Sequence, residues 1–182
     1  SIESDNVVAV LDFGFLPDGL PYMVIEFLEG RDLARVLRED GPMSVEDAVG
    51  CMLQVCEALS AAHAIGIVHR DLKPANLFLT RDADGVPHVK VVDFGISKIS
   101  DPVLLAPEHE GARPFHEVTS AHAVLGSPRY MAPEQIRSSK NVDARADLWS
   151  VGAVLFQLVT GRYAFEAETN VASTVKVLAS EP

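Results

Sequence analysis

Apolar residues cluster along the chain in two rhythms. Val7 to Phe13 and Tyr22 to Phe27 are dense apolar runs on either side of Pro17-Asp18-Gly19, and predict a hairpin-like pair of strands. Arg31 to Leu37 predicts a short helix with Asp32 near its start. From Ser44, placed as an N-cap, the rhythm lengthens. Val45, Ala48, Val49, Met52, Val55, Cys56, Leu59 and Ala62 recur at helical spacing, and Gly66 closes the segment. Two small strands follow, Leu77 to Leu79 and Val89 to Val92, parted by the polar turn through Asp82 and Gly85. Periodicity is lost from Ser100 to Val124, a stretch with three prolines and scattered acids that reads as a long loop, of a length usually functional or mobile. Ala146 to Thr160 is helical again, closed by Gly161. The order predicts an α+β chain: a mainly helical body carrying a remnant of sheet.

Composition narrows the class. At 182 residues and 48% hydrophobic, the chain is long and apolar enough for a packed core. Its net charge of −11 argues against a nucleic-acid surface, which needs a concentrated basic face. No apolar run reaches the length of a membrane span, and the first residues do not read as a signal peptide. The expected setting is cytoplasmic, with a tether elsewhere in a longer parent left open. Cys51 and Cys56 have neither redox-pair nor zinc-knuckle spacing and read as reduced core thiols.

The chemistry sits in two short segments. His69-Arg70-Asp71-Leu72-Lys73-Pro74-Ala75-Asn76 follows the long helix. Phosphoryl transfer needs a carboxylate to orient an attacking hydroxyl, a cation near the moving phosphate and an oxygen ligand for Mg²⁺. Asp71, Lys73 and Asn76 offer all three. Seventeen residues after Asn76 comes Asp93-Phe94-Gly95, where Asp93 can hold a hard cation and Gly95 permits a sharp turn.

These segments, with Gly126-Ser127-Pro128-Arg129-Tyr130-Met131-Ala132-Pro133-Glu134 and Asp147-Leu148-Trp149-Ser150-Val151-Gly152 in that order, resemble the protein kinase family across essentially the whole chain. Lys73 and the segment ending at Glu134 resemble its serine/threonine members, and the wording around them is similar to bacterial ones. The resemblance implies a kinase fold, with 1–30 as the end of the small lobe and the hinge, and 31–182 as a large lobe without its last helices. It implies Asp71 as catalytic base, Lys73 as the lysine steadying the phosphate, Ser127 as the hydroxyl bridging them, and Asn76 and Asp93 as Mg²⁺ ligands. His69 becomes a structural residue packing on Phe94, and Asp147 a buried brace for the catalytic loop. ATP would meet Ile25 as gatekeeper, the backbone of Glu26 and Leu28, Asp32 at the ribose, and Phe78 beneath the base. His88, His109, His116 and His122 are expected at the surface.

Regulation and substrates follow from the same resemblance. Arg70 finds no obvious carboxylate partner in its own loop and resembles arginines that pair with a phosphorylated activation loop. Thr119, eight residues before Ser127, is the expected phosphorylation site, with Ser120 second. Ala75 and Gln157 stand where kinases selecting basic peptides carry carboxylates. Roughly residues 101–115 form an insertion relative to the family.

No glycine-rich loop, strand lysine or partner glutamate helix is present in this chain, and the arginine that would meet Glu134 is missing. A fragment of a longer protein, not competent alone, is therefore expected. The function implied is transfer of the ATP γ-phosphate to Ser or Thr hydroxyls of proteins. Two other classes compete: a pseudokinase or scaffold, against which Asp71, Lys73, Asn76 and Asp93 are all intact, and a small-molecule phosphotransferase, which lacks the segment ending at Glu134.

Overall fold

The computed structural model describes residues 2–82, 84–94, 128–137, 142–167 and 169–179. Strands β1 (Val10–Phe15) and β2 (Pro21–Ile25) form an antiparallel hairpin, and β3 (Arg31–Asp32), β4 (Leu77–Arg81) and β5 (Pro87–Val91) form a second antiparallel sheet. The described helices are α1 (Leu33–Asp40), α2 (Val45–Ala64), α3 (Pro133–Arg137), α4 (Arg145–Thr160) and α5 (Asn170–Ala179).

The first apolar run divides its duties. Val7 and Val8 do not belong to β1; this segment lies parallel to β5, with Val8 N–H donating to Val91 O and Val91 N–H to Asn6 O. Buried Asn6 reinforces the seam, since its side-chain amide donates to Val89 O at 2.9 Å and to Gln54 Oε1 of α2 at 3.1 Å. An apolar run announces burial but not which strand it will join, so the expected start at Val7 moves to Val10.

Arg31 and Asp32 likewise pair with Leu79 and Phe78 before the helix begins. Asp32 is the N-cap of α1, its carboxylate accepting from Arg35 N–H at 2.8 Å. Ser44 caps α2 as expected, its Oγ accepting from Asp47 N–H and donating to the Asp47 carboxylate. Glu46 and Asp47 add favourable charge in that first turn.

The buried stripe of α2 is Ala48, Cys51, Met52, Val55, Ala58, Leu59 and Ala62. It is turned slightly from the sequence expectation, leaving Val45 and Val49 exposed. Around it pack Leu33, Leu72, Leu77, Val89, Val91, Val154 and Leu158 as one core. Cys51 is buried in this core, and burial pushes both thiols above the usual range, Cys51 with help from nearby Asp47. Neither sulfur is a ready nucleophile. Among the described residues no helix is long and apolar enough to cross a membrane.

The turn that leads into β3 depends on one glycine. Gly30 has φ +148°, and a Cβ there would lie 2.1 Å from the backbone oxygen of Leu79. Gly30→Ala would force β3 away from β4, so a loss of about 2–4 kcal/mol is expected. Thermal unfolding of the full-length protein checks this; an unchanged midpoint would show that the turn has slack the structure does not.

Candidate active site

Strand register assembles the site. Leu77 opposes Val91 in the β4–β5 pair, which places Asn76 beside Val92 and leaves Asp93 one residue further along. Val92 N–H donates to Asn76 O at 3.0 Å, fixing the junction. Residues 65–76 connect α2 to β4, and Pro74–Asn76 forms one 3-10 turn with Pro74 in its first turn. The two chemistry-bearing segments thus meet at one end of the small sheet.

Within the loop, Lys73 Nζ lies 2.7 Å from Asp71 Oδ2, with both side chains partly exposed. Asn76 donates its amide to Asp71 O at 2.9 Å. That bond spends the nitrogen end of Asn76 and leaves its oxygen end without a hydrogen bond among the described residues. Asp93 is exposed, and no described residue donates to its carboxylate. These two free oxygen donors suit Mg²⁺, which takes one or two protein ligands and fills the rest of its octahedron with phosphate and water. Among the described residues no cluster of three or more His, Cys, Asp or Glu could cage a metal alone. The donor set fits a cation that arrives with a nucleotide.

Strain concentrates here. Arg70 and Asp93 are the described non-glycine residues with positive φ, at 66° and 58°. A left-handed arginine costs about 1–2 kcal/mol and needs external support. Asp147 of α4 supplies it, being fully buried and accepting from Arg70 N–H at 2.8 Å and His69 N–H at 2.9 Å. Gln135 of α3 supplies the rest, donating to Arg70 O at 2.8 Å while its own oxygen accepts from Ala132 N–H. Both backbone groups of Arg70 are thereby held.

His69 is structural, as expected. Its ring is 4.9 Å from that of Phe94. Nε2 donates to Val92 O at 3.1 Å and Nδ1 accepts from Asp71 N–H at 3.3 Å, a neutral-imidazole pattern. Burial, the largest influence, pulls its pKa below the usual value despite the acceptor at Val92 O and the carboxylates of Asp147, Asp71 and Asp93.

The nucleotide-side residues are placed less completely. Asp32 pairs with Phe78 across β3–β4, bringing the expected ribose and base contacts together. One carboxylate oxygen of Asp32 is spent on the helix cap, leaving the other for a ligand. Ile25 and Phe27 are exposed, the latter 88%. Glu26 does more than lend its backbone: its carboxylate binds Lys90 Nζ of β5 at 2.6 Å and accepts from Ala9 N–H at 2.8 Å. Partial burial opposes its ionisation, but these partners outweigh that and hold the carboxyl below its usual range. No backbone hydrogen bond of Leu28 is found among the described residues.

Several expectations fall outside the described residues: Gly95, Ser127, Thr119, Ser120, the insertion at 101–115, and His109, His116 and His122. His88 is only partly exposed, its Nε2 lying 3.0 Å from Asp5 O. Two supporting residues are additions to the sequence reading. Besides Gln135, His63 of α2 places Nε2 2.7 Å from Asp147 Oδ2. The signal for His63 was a polar ring at the end of an otherwise apolar buried stripe.

Comparison with known proteins agrees with this geometry. The protein kinase domain family matches residues 1–180, so the chain belongs to the protein kinase family. It is 40% identical over 177 residues to the serine/threonine-protein kinase pkn3 of Myxococcus xanthus, covering 97% of this chain and 30% of that protein. With Pkn1 of the same organism it shares 42% over 167 residues, 92% of this chain and 22% of the relative. With the serine/threonine-protein kinase PknB of Mycolicibacterium smegmatis it shares 36% over 179 residues, 97% and 26% respectively. The chain spans less than a third of the length of these relatives.

Proposed function

We propose that the full-length protein is an ATP-dependent serine/threonine protein kinase, with residues 1–30 completing its small lobe and hinge and 31–182 forming most of its large lobe. The observation that carries this is the meeting of Asp71, Lys73 and Asn76 with Asp93 through the β4–β5 register. Asp71 Oδ2 is held by Lys73, while Oδ1 has no described partner and can accept the proton of an attacking hydroxyl. Asn76 and Asp93 would hold Mg²⁺, which would supply neutralisation of the phosphate charge. Lys73 would steady the moving phosphoryl group, with Ser127 bridging it to Asp71. Ile25, the backbone of Glu26 and Leu28, Asp32 and Phe78 would bind adenosine. Incubating the full-length protein with γ-labelled ATP, Mg²⁺ and protein substrates, then analysing phosphoamino acids, tests the reading. Label on serine or threonine supports it; ATP binding without transfer to any hydroxyl would favour a binding module instead.

Loop phosphorylation is part of the proposal. The Arg70 side chain makes no hydrogen bond or ion pair among the described residues, while its backbone is clamped in place. A phosphate on Thr119, or failing that Ser120, would add about −1.5 to −2 charges suited to a guanidinium fork. Thr119→Ala and Arg70→Ala are expected to depress turnover to a similar level and not to add when combined. Mass spectrometry of the autophosphorylated protein beside these rates is the check, and a fully active Thr119→Ala would end this part.

A further inference from the structure

We propose that Lys90 is a positioning residue for the adenine end of the nucleotide, acting through the Glu26 carboxylate; this rests on the kinase reading and deepens it. The chain between β2 and β3 has little else to hold it. Residues 27–29 form no backbone hydrogen bond among the described residues. Glu26, at their head, is the anchor. Its N–H donates to Ala9 O at 2.9 Å, and its Oε1 accepts from Ala9 N–H at 2.8 Å. The same carboxylate oxygen takes Lys90 Nζ at 2.6 Å. The Ala9 pair joins Glu26 to the chain beside β2, whereas Lys90 joins it directly to β5, between fully buried Val89 and Val91.

The sheet puts this lysine in register with the nucleotide side. Phe78 pairs with Lys90 and Asp32 pairs with Phe78, so the three side chains form one row on one face. Val89 and Val91 point to the other face, into the core. The row therefore carries the ribose contact, the base platform and, at its end, the lysine that grips Glu26. Asp93 follows Lys90 by three residues, about 10 Å along an extended chain. One strand thus steadies both the base-side backbone and a metal ligand. Glu26 O accepts no backbone hydrogen bond among the described residues and is the group offered to the base. With side-chain exposures of 18% and 28%, the ion pair adds only modest stability. Its consequence is geometric: a charge-assisted contact of 2.6 Å fixes how Glu26 presents that carbonyl.

Lys90→Met in the full-length protein is expected to raise the KM for ATP about tenfold, the scale of one charge-assisted hydrogen bond, with kcat changed by less than about twofold. Adenosine and magnesium tripolyphosphate, each used as a competitive inhibitor against ATP, separate the base end from the phosphate end. The inhibition constant of adenosine should rise by the factor seen in KM, and that of tripolyphosphate should not move. Glu26→Gln keeps an acceptor for Ala9 N–H while removing the charge, so it should match Lys90→Met and not add to it. Lys90→Arg should restore the wild-type KM. An unchanged KM in Lys90→Met overturns the proposal. So does a tripolyphosphate constant that rises with that of adenosine, or a fall in kcat alone, since either marks a general disturbance of β5. A wild-type protein that transfers phosphate to no hydroxyl overturns the kinase reading and this inference with it.

Discussion

Asp71→Asn in the full-length protein is expected to lower phosphoryl transfer by about 10²–10⁴-fold while leaving Mg²⁺·ATP affinity nearly intact. The amide preserves shape and can still accept a hydrogen bond from Lys73, which lies 2.7 Å from Oδ2. It cannot take a proton from a substrate hydroxyl, and the loss of a positioned general base carries that magnitude. Asp93→Asn should behave differently. Asp93 is exposed, unpaired among the described residues and held at positive φ, the state of a carboxylate kept for a ligand and not for the fold. In the proposed role as metal ligand, its neutralisation should weaken Mg²⁺-dependent nucleotide binding itself. Single-turnover kinetics with nucleotide titrations separates the two variants. Equal loss of ATP affinity in both would show that the base and metal roles are not divided as argued.

The parts legible in the sequence are those where chemistry restricts residue type over a short span. Asp71, Lys73 and Asn76 fall within six residues, and Asp93 closes a strand whose apolar run is visible unaided. The Ser44 cap and the long helix after it were legible for the same local reason. What stayed hidden depends on partners far along the chain. His63 and Asp147 are 84 residues apart and Gln135 and Arg70 are 65 apart, so neither pair leaves a spacing to read. Glu26 was assigned through its backbone, and its ion pair with Lys90 emerges only once β5 lies beside the segment that follows β2. Val7 and Val8 show the limit of periodicity: their burial was visible, their parallel docking on Val91 was not.

Asp147 is the residue through which the hidden contacts act, and Asp147→Asn is expected to cost about 3 kcal/mol of stability and most of the activity. The native carboxylate is fully buried and accepts three hydrogen bonds, from the N–H groups of His69 and Arg70 and from Nε2 of His63. An asparagine keeps one acceptor and turns the other into a donor. In either orientation an N–H group faces a buried N–H of the loop or the His63 ring, leaving donors unmatched at about 1–3 kcal/mol each. Arg70 then loses the support for its left-handed backbone at φ 66°, and the loop can relax toward ordinary φ. That relaxation would carry Asp71 away from Asn76, whose amide now donates to Asp71 O at 2.9 Å. Asp143→Asn is the matched control, because among the described residues Asp143 pairs only with exposed Arg145 and should change neither quantity measurably. Denaturant unfolding and steady-state kinetics on both variants of the full-length protein decide the matter. An Asp147→Asn variant that keeps its stability but loses activity would place the residue in the chemistry itself and not in the support of the loop.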